Sequence, residues 1–260
     1  MKNIWITGAS SGIGRATAEV FAKTGQYRLI LSARRTIRLE AMKNDLETNY
    51  DCEVITSPLD VRVKEACQTA FDQLPSKCKP VDILINNAGL AKGLAPIHKG
   101  DYAHWETMID TNIKGLLYMS KIVSAHMVEE QHPGMIINTA STAGKEVYPN
   151  GNVYCATKHA VDALTRAMRL DLYKEGIRVG QVAPAHVEET EFARVRFGGD
   201  REKAKIYSDF NPLQAQDVAE AIYFIASRPP HVNVQDILLM GTQQADSTHI
   251  DRSGRKFDEK

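Results

Sequence analysis

Tyr154 and Lys158 stand four residues apart in a stretch of helical period, so both side chains share one face of a helix. A phenol has an ordinary pKa of about 10 and is a weak base near neutral pH. An ammonium group beside it stabilises the phenolate and brings the phenol toward working range. Such a pair arises often by chance, and what distinguishes this one is its company. Ser141 lies just past an apolar run at residues 135–139, where a C-terminal strand edge would present its hydroxyl to a substrate oxygen. Asn112 lies in a long helical stretch, flanked by Thr111 and followed by Gly115, where it can anchor a proton-relay water. Hydride chemistry needs this set: a proton donor when a carbonyl is reduced, a base when an alcohol is oxidised.

A hydride also needs a carrier. Thr7-Gly8-Ala9-Ser10-Ser11-Gly12-Ile13-Gly14 follows the first apolar run and opens a helical stretch. Glycine at 8 permits a tight turn, glycine at 12 lets a pyrophosphate approach backbone N–H groups, and Gly14 lets helix and strand pack closely. The spacing is GxxxGxG rather than GxGxxG, so its place between strand and helix carries the inference. The end of the second apolar run selects the cofactor, because an acid usually sits there to hold the ribose 2′-hydroxyl of NAD. This chain reads Ser32-Ala33-Arg34-Arg35, with no carboxylate. Two guanidinium groups suit a 2′-phosphate through bidentate, charge-assisted hydrogen bonds. NADP is the expected cofactor.

These residues require a scaffold. Short apolar or β-branched runs at residues 4–7, 28–32, 53–57, 81–86, 135–139, 178–182 and 236–240 alternate with helical stretches at 15–23, 39–46, 63–74 and 217–227. The alternation predicts right-handed crossovers and an α/β fold, a parallel sheet with helices on both faces. Between Trp105 and Glu130, apolar groups at Trp105, Met108, Ile109, Leu116, Met119, Val123 and Met127 predict a helix with one buried stripe. No repeat or low-complexity linker divides the chain. One catalytic domain over residues 1–241 is expected, with a polar substrate loop at 184–212 and a polar, partly disordered tail at 242–260.

Composition narrows the classes further. At 260 residues, 43% hydrophobic and 25% charged, the chain can bury a sizeable core. Lys+Arg and Asp+Glu are both 32, which leaves no basic excess for a nucleic-acid backbone. No apolar run approaches a membrane span, and Ile4-Trp5-Ile6 is too short for a signal-peptide core. Cys52, Cys67, Cys78 and Cys155 form no CxxC pair, and the eight histidines have no metal-ligand spacing. A cytoplasmic protein with free thiols and no metal is expected.

Residues 7–14, Asp60-Val61, Asn86-Asn87-Ala88-Gly89, Asn112, Ser141 and Tyr154-x-x-x-Lys158 stand together in one order. On these motifs the chain resembles the short-chain dehydrogenase/reductase family over nearly its whole length. The resemblance implies a single Rossmann-type domain, a doubly wound parallel sheet of about seven strands, and a homotetramer or dimer. It implies that Tyr154 is the acid/base, that Lys158 lowers its pKa and binds ribose, that Ser141 orients substrate and that Asn112 holds the relay water. Asp60 and Val61 would sit by the adenine, and Asn86, Asn87, Pro184, Val187 and Thr190 would be further cofactor contacts.

Gly89-Leu90-Ala91-Lys92-Gly93, residues 105–112, Gly151-Asn152-Val153-Tyr154, Thr190-Glu191-Phe192 and Val195-Arg196-Phe197 carry a narrower likeness. It is to the bacterial NADP-dependent 3-hydroxy acid dehydrogenases, also described as serine or L-allo-threonine dehydrogenases. One departure concerns Pro184-Ala185-His186, where the family usually has Pro-Gly, and this makes His186 a candidate for touching substrate. Arg194 or Arg196 could hold a substrate carboxylate. In an extended segment both would face one side, whereas in a helix they diverge and only one points inward. Three functions stay open: a 3-hydroxy acid or β-hydroxy amino acid dehydrogenase, a reductase of a larger sugar, quinone or xenobiotic ketone, and a non-catalytic NADP sensor. The intact set of four argues against the sensor.

Overall fold

The computed structural model describes residues 1–188, 190–200 and 209–254, so Arg201 and the end of the tail lie outside the described residues. Seven strands form one sheet: β1 Lys2–Thr7, β2 Tyr27–Ala33, β3 Glu53–Pro58, β4 Ile83–Asn86, β5 Met135–Thr139, β6 Arg178–Pro184 and β7 Asp236–Leu239. All neighbours pair in parallel in the order β3-β2-β1-β4-β5-β6-β7. The order reverses between β1 and β4, the point at which an open α/β sheet forms a crevice beyond its strand C-termini.

The strands are legible as unbroken apolar runs because both sheet faces are covered. On one face Ile4, Ile6, Leu29, Leu31 and Val182 pack against α1 Gly12–Ala22, α2 Thr36–Asn49 and α8 Ala215–Ala226. On the other, Trp5, Ile30, Leu84, Ile136 and Val179 meet α3 Lys64–Asp72 and α5 Leu116–Glu129. The face of α2 that packs inward is set by Leu39, Met42 and Leu46, spaced for one helical stripe. Helix α8 starts two residues before the expected position. A capping box explains this: the Gln214 backbone N–H donates to Asp217 at 2.7 Å, satisfying an otherwise orphaned donor.

The stretch expected as one continuous helix is broken. α4 Tyr102–Ile109, capped by Asp101, and α5 are separated by a π turn over Asp110–Gly115. Such turns insert a residue into the helical ladder and leave the apolar periodicity nearly intact, so the pattern could not reveal it. Its inner side is pinned by buried Asn112. Gly115 allows the close approach, since a Cβ there would lie 2.6 Å from Val61 Cγ2.

Residues 242–254 of the polar tail are folded. Gln244 bridges Ile250 in antiparallel fashion, and Ala245 N–H donates to His249 O at 3.0 Å, forming a tight hairpin. Asp246 caps its turn by accepting from the Thr248 and His249 backbone N–H groups, both at 2.7 Å. Gln243 and Gln244 are buried, so a locally polar sequence here folds by hydrogen bonding rather than apolar patterning.

Candidate active site

A cleft of about 480 Å³ opens at the C-terminal ends of β1, β4, β5 and β6. Its walls come from the glycine turn, from the exits of β2 and β3, from α6 Asn152–Leu172, and from the loop after β6 with its short helix α7 Phe192–Arg196.

At one end the glycine turn folds as its residue types demand. Gly8 and Gly12 have φ of +66° and +51°, and a Cβ on Gly14 would lie 2.4 Å from the Gly8 carbonyl oxygen. Gly8, Ser10, Ser11, Gly12 and Ile13 line the cleft, whereas Thr7 and Gly14 stand behind it. Thr7 Oγ1 accepts from the backbone N–H groups of Asn87 and Ala88, both at 3.1 Å, tying the turn to the β4 exit. Asn87 lines the cleft and donates back to Thr7 O at 3.0 Å. Asn86 does not line it: its amide donates to Ser120 Oγ of α5 and to Asn138 Oδ1 of β5, a positioning contact.

Arg34, Arg35, Asp60 and Val61 all face the cleft, as the cofactor reading requires. Two partners stand outside the expected set, one local and one distant in sequence. Arg62, also at the cleft, holds Asp60 through Nη2–Oδ2 at 2.6 Å, and its hydrogen bonds keep the Asp60 carboxyl below the usual carboxylate range. Glu191, from the loop after β6, brings a carboxylate to an edge where the neighbouring sequence has none. It accepts from Arg35 at 2.6 Å and from Arg38 at 3.0 Å. Burial alone would raise Glu191, but these two hydrogen bonds hold it below its ordinary value. The second Arg35 nitrogen donates to Ser10 and Ser11 hydroxyls, each at 3.0 Å, so the guanidinium already bridges cradle and loop.

At the other end the catalytic candidates converge. Ser141, Tyr154 and Lys158 line the cleft and are nearly buried. Ser141 caps the short 3-10 turn that follows β5, its hydroxyl accepting from Ala143 N–H at 3.1 Å. Lys158 Nζ donates to Thr139 O at 2.8 Å and lies 6.0 Å from the Tyr154 ring centre. Burial lowers the Lys158 pKa to about 8. Asn112 stands behind this pair. Its side chain accepts from Leu90 N–H at 2.9 Å and donates to Leu90 O at 2.8 Å and Thr157 Oγ1 at 3.0 Å. The amide thus fastens the loop after β4 to α6.

The helical form of residues 192–196 separates the two arginines. Arg194 is exposed and off the cleft, while Arg196 is buried within its wall. The Arg196 guanidinium donates to Tyr148 Oη at 2.9 Å and lies 5.4 Å from the Tyr148 ring, 5.6 Å from Tyr154 and 6.0 Å from Phe192. Among the described residues no carboxylate pairs with it. Tyr148 and Phe192 give no warning in sequence, since isolated aromatics read as core.

Pro184, His186, Val187 and Thr190 complete the wall. Ala185 stands where the family usually has glycine, and the next residue is fixed on both sides: Leu213 N–H donates to the His186 carbonyl at 3.0 Å and the His186 N–H donates to Gln244 Oε1 at 3.3 Å. Burial, with Arg252 and Arg196 nearby, lowers the imidazole pKa against the opposing effect of a side-chain hydrogen bond with Gln244.

The cleft fits a dinucleotide carrying an extra phosphate. A row of backbone N–H groups at the start of α1 meets a cluster of cations at Arg34, Arg35 and Arg62. Midway, Thr111 lines the cleft with Oγ1 buried and without a hydrogen-bond partner among the described residues, as expected of a group that a ligand satisfies.

The comparisons agree with this geometry. The chain is 43% identical over 243 residues to the NADP-dependent 3-hydroxy acid dehydrogenase of Salmonella typhi, covering 93% of this chain and 96% of that protein. It is 44% identical to sulfoacetaldehyde reductase 2 of Chromohalobacter salexigens over 93% and 95% of the two chains. The closed form of serine dehydrogenase complexed with NADP+ superposes with a TM-score of 0.88 at 40% identity, over 93% and 96%. Residues 2–199 match the model of the short chain dehydrogenases. The chain belongs to the short-chain dehydrogenase family.

Proposed function

We propose that this protein is an NADP-dependent oxidoreductase that moves a hydride between nicotinamide and a small 3-hydroxy acid or β-hydroxy amino acid. The observation that carries the acid is Arg196, a buried guanidinium beside the Tyr154 ring with no carboxylate partner among the described residues. A buried cation of this kind is costly unless an anion reaches it, and a substrate carboxylate does so. The relatives named for 3-hydroxy acids and serine support the same class.

Gly8, Ser10, Ser11, Gly12 and Ile13 hold the pyrophosphate, Arg34 and Arg35 the 2′-phosphate, and Asp60, Val61, Asn87, Pro184, Val187 and Thr190 the remaining edges. NADP supplies the hydride acceptor in oxidation and the donor in reduction. Ser141 holds the reacting oxygen against Tyr154, which takes its proton in oxidation and returns it in reduction. Lys158, charged below about pH 8, stabilises the phenolate and holds the ribose. Asn112 acts here through structure: its amide fixes the Leu90 loop that closes over Lys158. Arg196 orients the carboxylate so that the carbinol carbon faces the nicotinamide. Arg194, turned to solvent, has no part in this scheme.

A second reading has a specific support. A guanidinium accepts a sulfonate as readily as a carboxylate, and one relative is named for sulfoacetaldehyde. We further infer a homo-oligomer in the cytoplasm. Exposed Leu170 and Tyr173 on one side, exposed Phe224 and Leu238 on another, and four free cysteines support this.

The test is a panel of small hydroxy acids, β-hydroxy amino acids and sulfoacetaldehyde, followed by absorbance of reduced cofactor, with native protein and Tyr154→Phe. Turnover of at least one hydroxy acid, lost by about 10²–10⁴-fold in the variant at unchanged NADP affinity, is expected. Turnover of sulfoacetaldehyde alone would move the reading to the sulfonate.

A further inference from the structure

The C-terminal hairpin forms part of the cleft wall. Ser247, at its turn, lines the same cleft as Tyr148, His186 and Arg196. Its backbone N–H is fixed by Glu146 Oε2 at 2.8 Å, across 101 positions of sequence. The hairpin is held from three further directions. Gln243 Oε1 accepts from Asn211 N–H at 2.7 Å, Gln244 Oε1 accepts from His186 N–H at 3.3 Å, and Ile250 packs on Ala193 of α7 and Phe210. Ser247 is therefore presented to the cleft by a rigid element rather than by a loose end.

Its hydroxyl is buried and has no hydrogen-bond partner among the described residues. A hydroxyl in that state is costly, and a ligand that bonds to it recovers the cost. Rotation about one side-chain bond is enough to turn it toward the cleft. In the functional reading above, Ser141 and Tyr154 engage the substrate's C3 oxygen and Arg196 its C1 carboxylate. The atom between them, C2, then has the Ser247 hydroxyl of the wall available to its substituent. A hydroxyl can accept a hydrogen bond, and it carries no charge that would repel an ammonium.

Resting on that reading, we propose that Ser247 is a specificity-determining residue that hydrogen-bonds the substituent at C2, favouring 2-amino- and 2-hydroxy-3-hydroxy acids over unsubstituted ones. The hairpin thus sets the choice between β-hydroxy amino acids and plain 3-hydroxy acids, while the carboxylate clamp serves both.

The experiment compares kcat/KM for L-serine and 3-hydroxypropionate in the native full-length chain, Ser247→Ala and Ser247→Thr, with NADP affinity as a control. In Ser247→Ala the ratio of serine to 3-hydroxypropionate should fall by roughly tenfold, with 3-hydroxypropionate itself within about twofold and NADP binding unchanged. Ser247→Thr, which keeps the hydroxyl, should restore most of the ratio. An equal fall on both substrates, or no fall on either, overturns the assignment while leaving the functional reading intact. Native protein that oxidises 3-hydroxypropionate but no C2-substituted acid also overturns it. Native protein that oxidises neither removes both readings.

Discussion

Glu191 Oε2 lies 2.6 Å from Arg35 Nη1, so a carboxylate of the substrate loop shares the guanidinium that suits a 2′-phosphate. Arg38 binds the other oxygen at 3.0 Å, which makes Glu191 a clasp between the cofactor edge and α7. A carboxylate and a phosphate compete for the same donors and repel one another. Glu191→Gln should therefore tighten NADP binding by roughly three- to tenfold at low ionic strength, the gain shrinking as salt rises. Fluorescence titration of NADP at two salt concentrations checks this. Weaker binding in the variant would mean that Glu191 aligns Arg35 for the phosphate rather than opposing it.

Replacing Arg34 and Arg35 together by Ser removes the charge-assisted donors at this edge. NADP binding should weaken by about 2–5 kcal/mol while NAD binding changes little. Native protein that binds both cofactors equally would sink the assignment of this edge to the 2′-phosphate.

Lys158 links catalysis to stability. Burial lowers its pKa from the ordinary 10.5 to about 8, so the unfolded chain holds more protons than the folded one between those values. Stability of the cofactor-free protein from this group rises with pH across that window, and below about pH 8 the full penalty of a buried ammonium is present. Lys158→Met removes the penalty and the dependence together. At pH 7 the cofactor-free variant should be more stable by about 2–3 kcal/mol, the difference vanishing toward pH 10.5, while turnover is lost. Thermal denaturation of both proteins between pH 6.5 and 10 measures it. A variant less stable than native at pH 7 would show that the Thr139 contact outweighs the desolvation of the ammonium.

The residues legible in sequence are those whose neighbours in space are also neighbours along the chain. Tyr154 and Lys158 share a helix face, the glycines occupy one turn, and the strands announce themselves because both sheet faces are buried. What escaped is what the fold brings from afar. Glu191 reaches Arg38 across 153 positions, and Ser247 reaches Glu146 across 101. The π turn at Asn112 escaped for a different reason, since it alters the ladder without disturbing the apolar stripe. Residues 192–196 form a case between these. Sequence reasoning could state that a helix would part Arg194 from Arg196, but only the fold decides that the segment is helical and which of the two turns inward.

Arg196 gives the sharpest test of what the cleft holds. Its guanidinium sits among Tyr148, Tyr154 and Phe192, where aromatic faces stabilise the cation but supply no anion. Methionine keeps much of the length and apolar bulk and removes the charge. Arg196→Met should raise KM for a 3-hydroxy acid by at least tenfold, because a carboxylate would then be desolvated without a partner. NADP affinity should stay as it is, since the residues assigned to the cofactor's phosphates line the other end of the cleft. The methyl ester of the same acid carries no charge, so its KM should change by less than about threefold. Arg194→Met, altering an exposed residue off the cleft, should leave both substrates unaffected. If Arg196→Met instead weakens acid and ester alike, the guanidinium serves to hold α7 against Gly93 and Tyr148, and the substrate's anion is bound elsewhere.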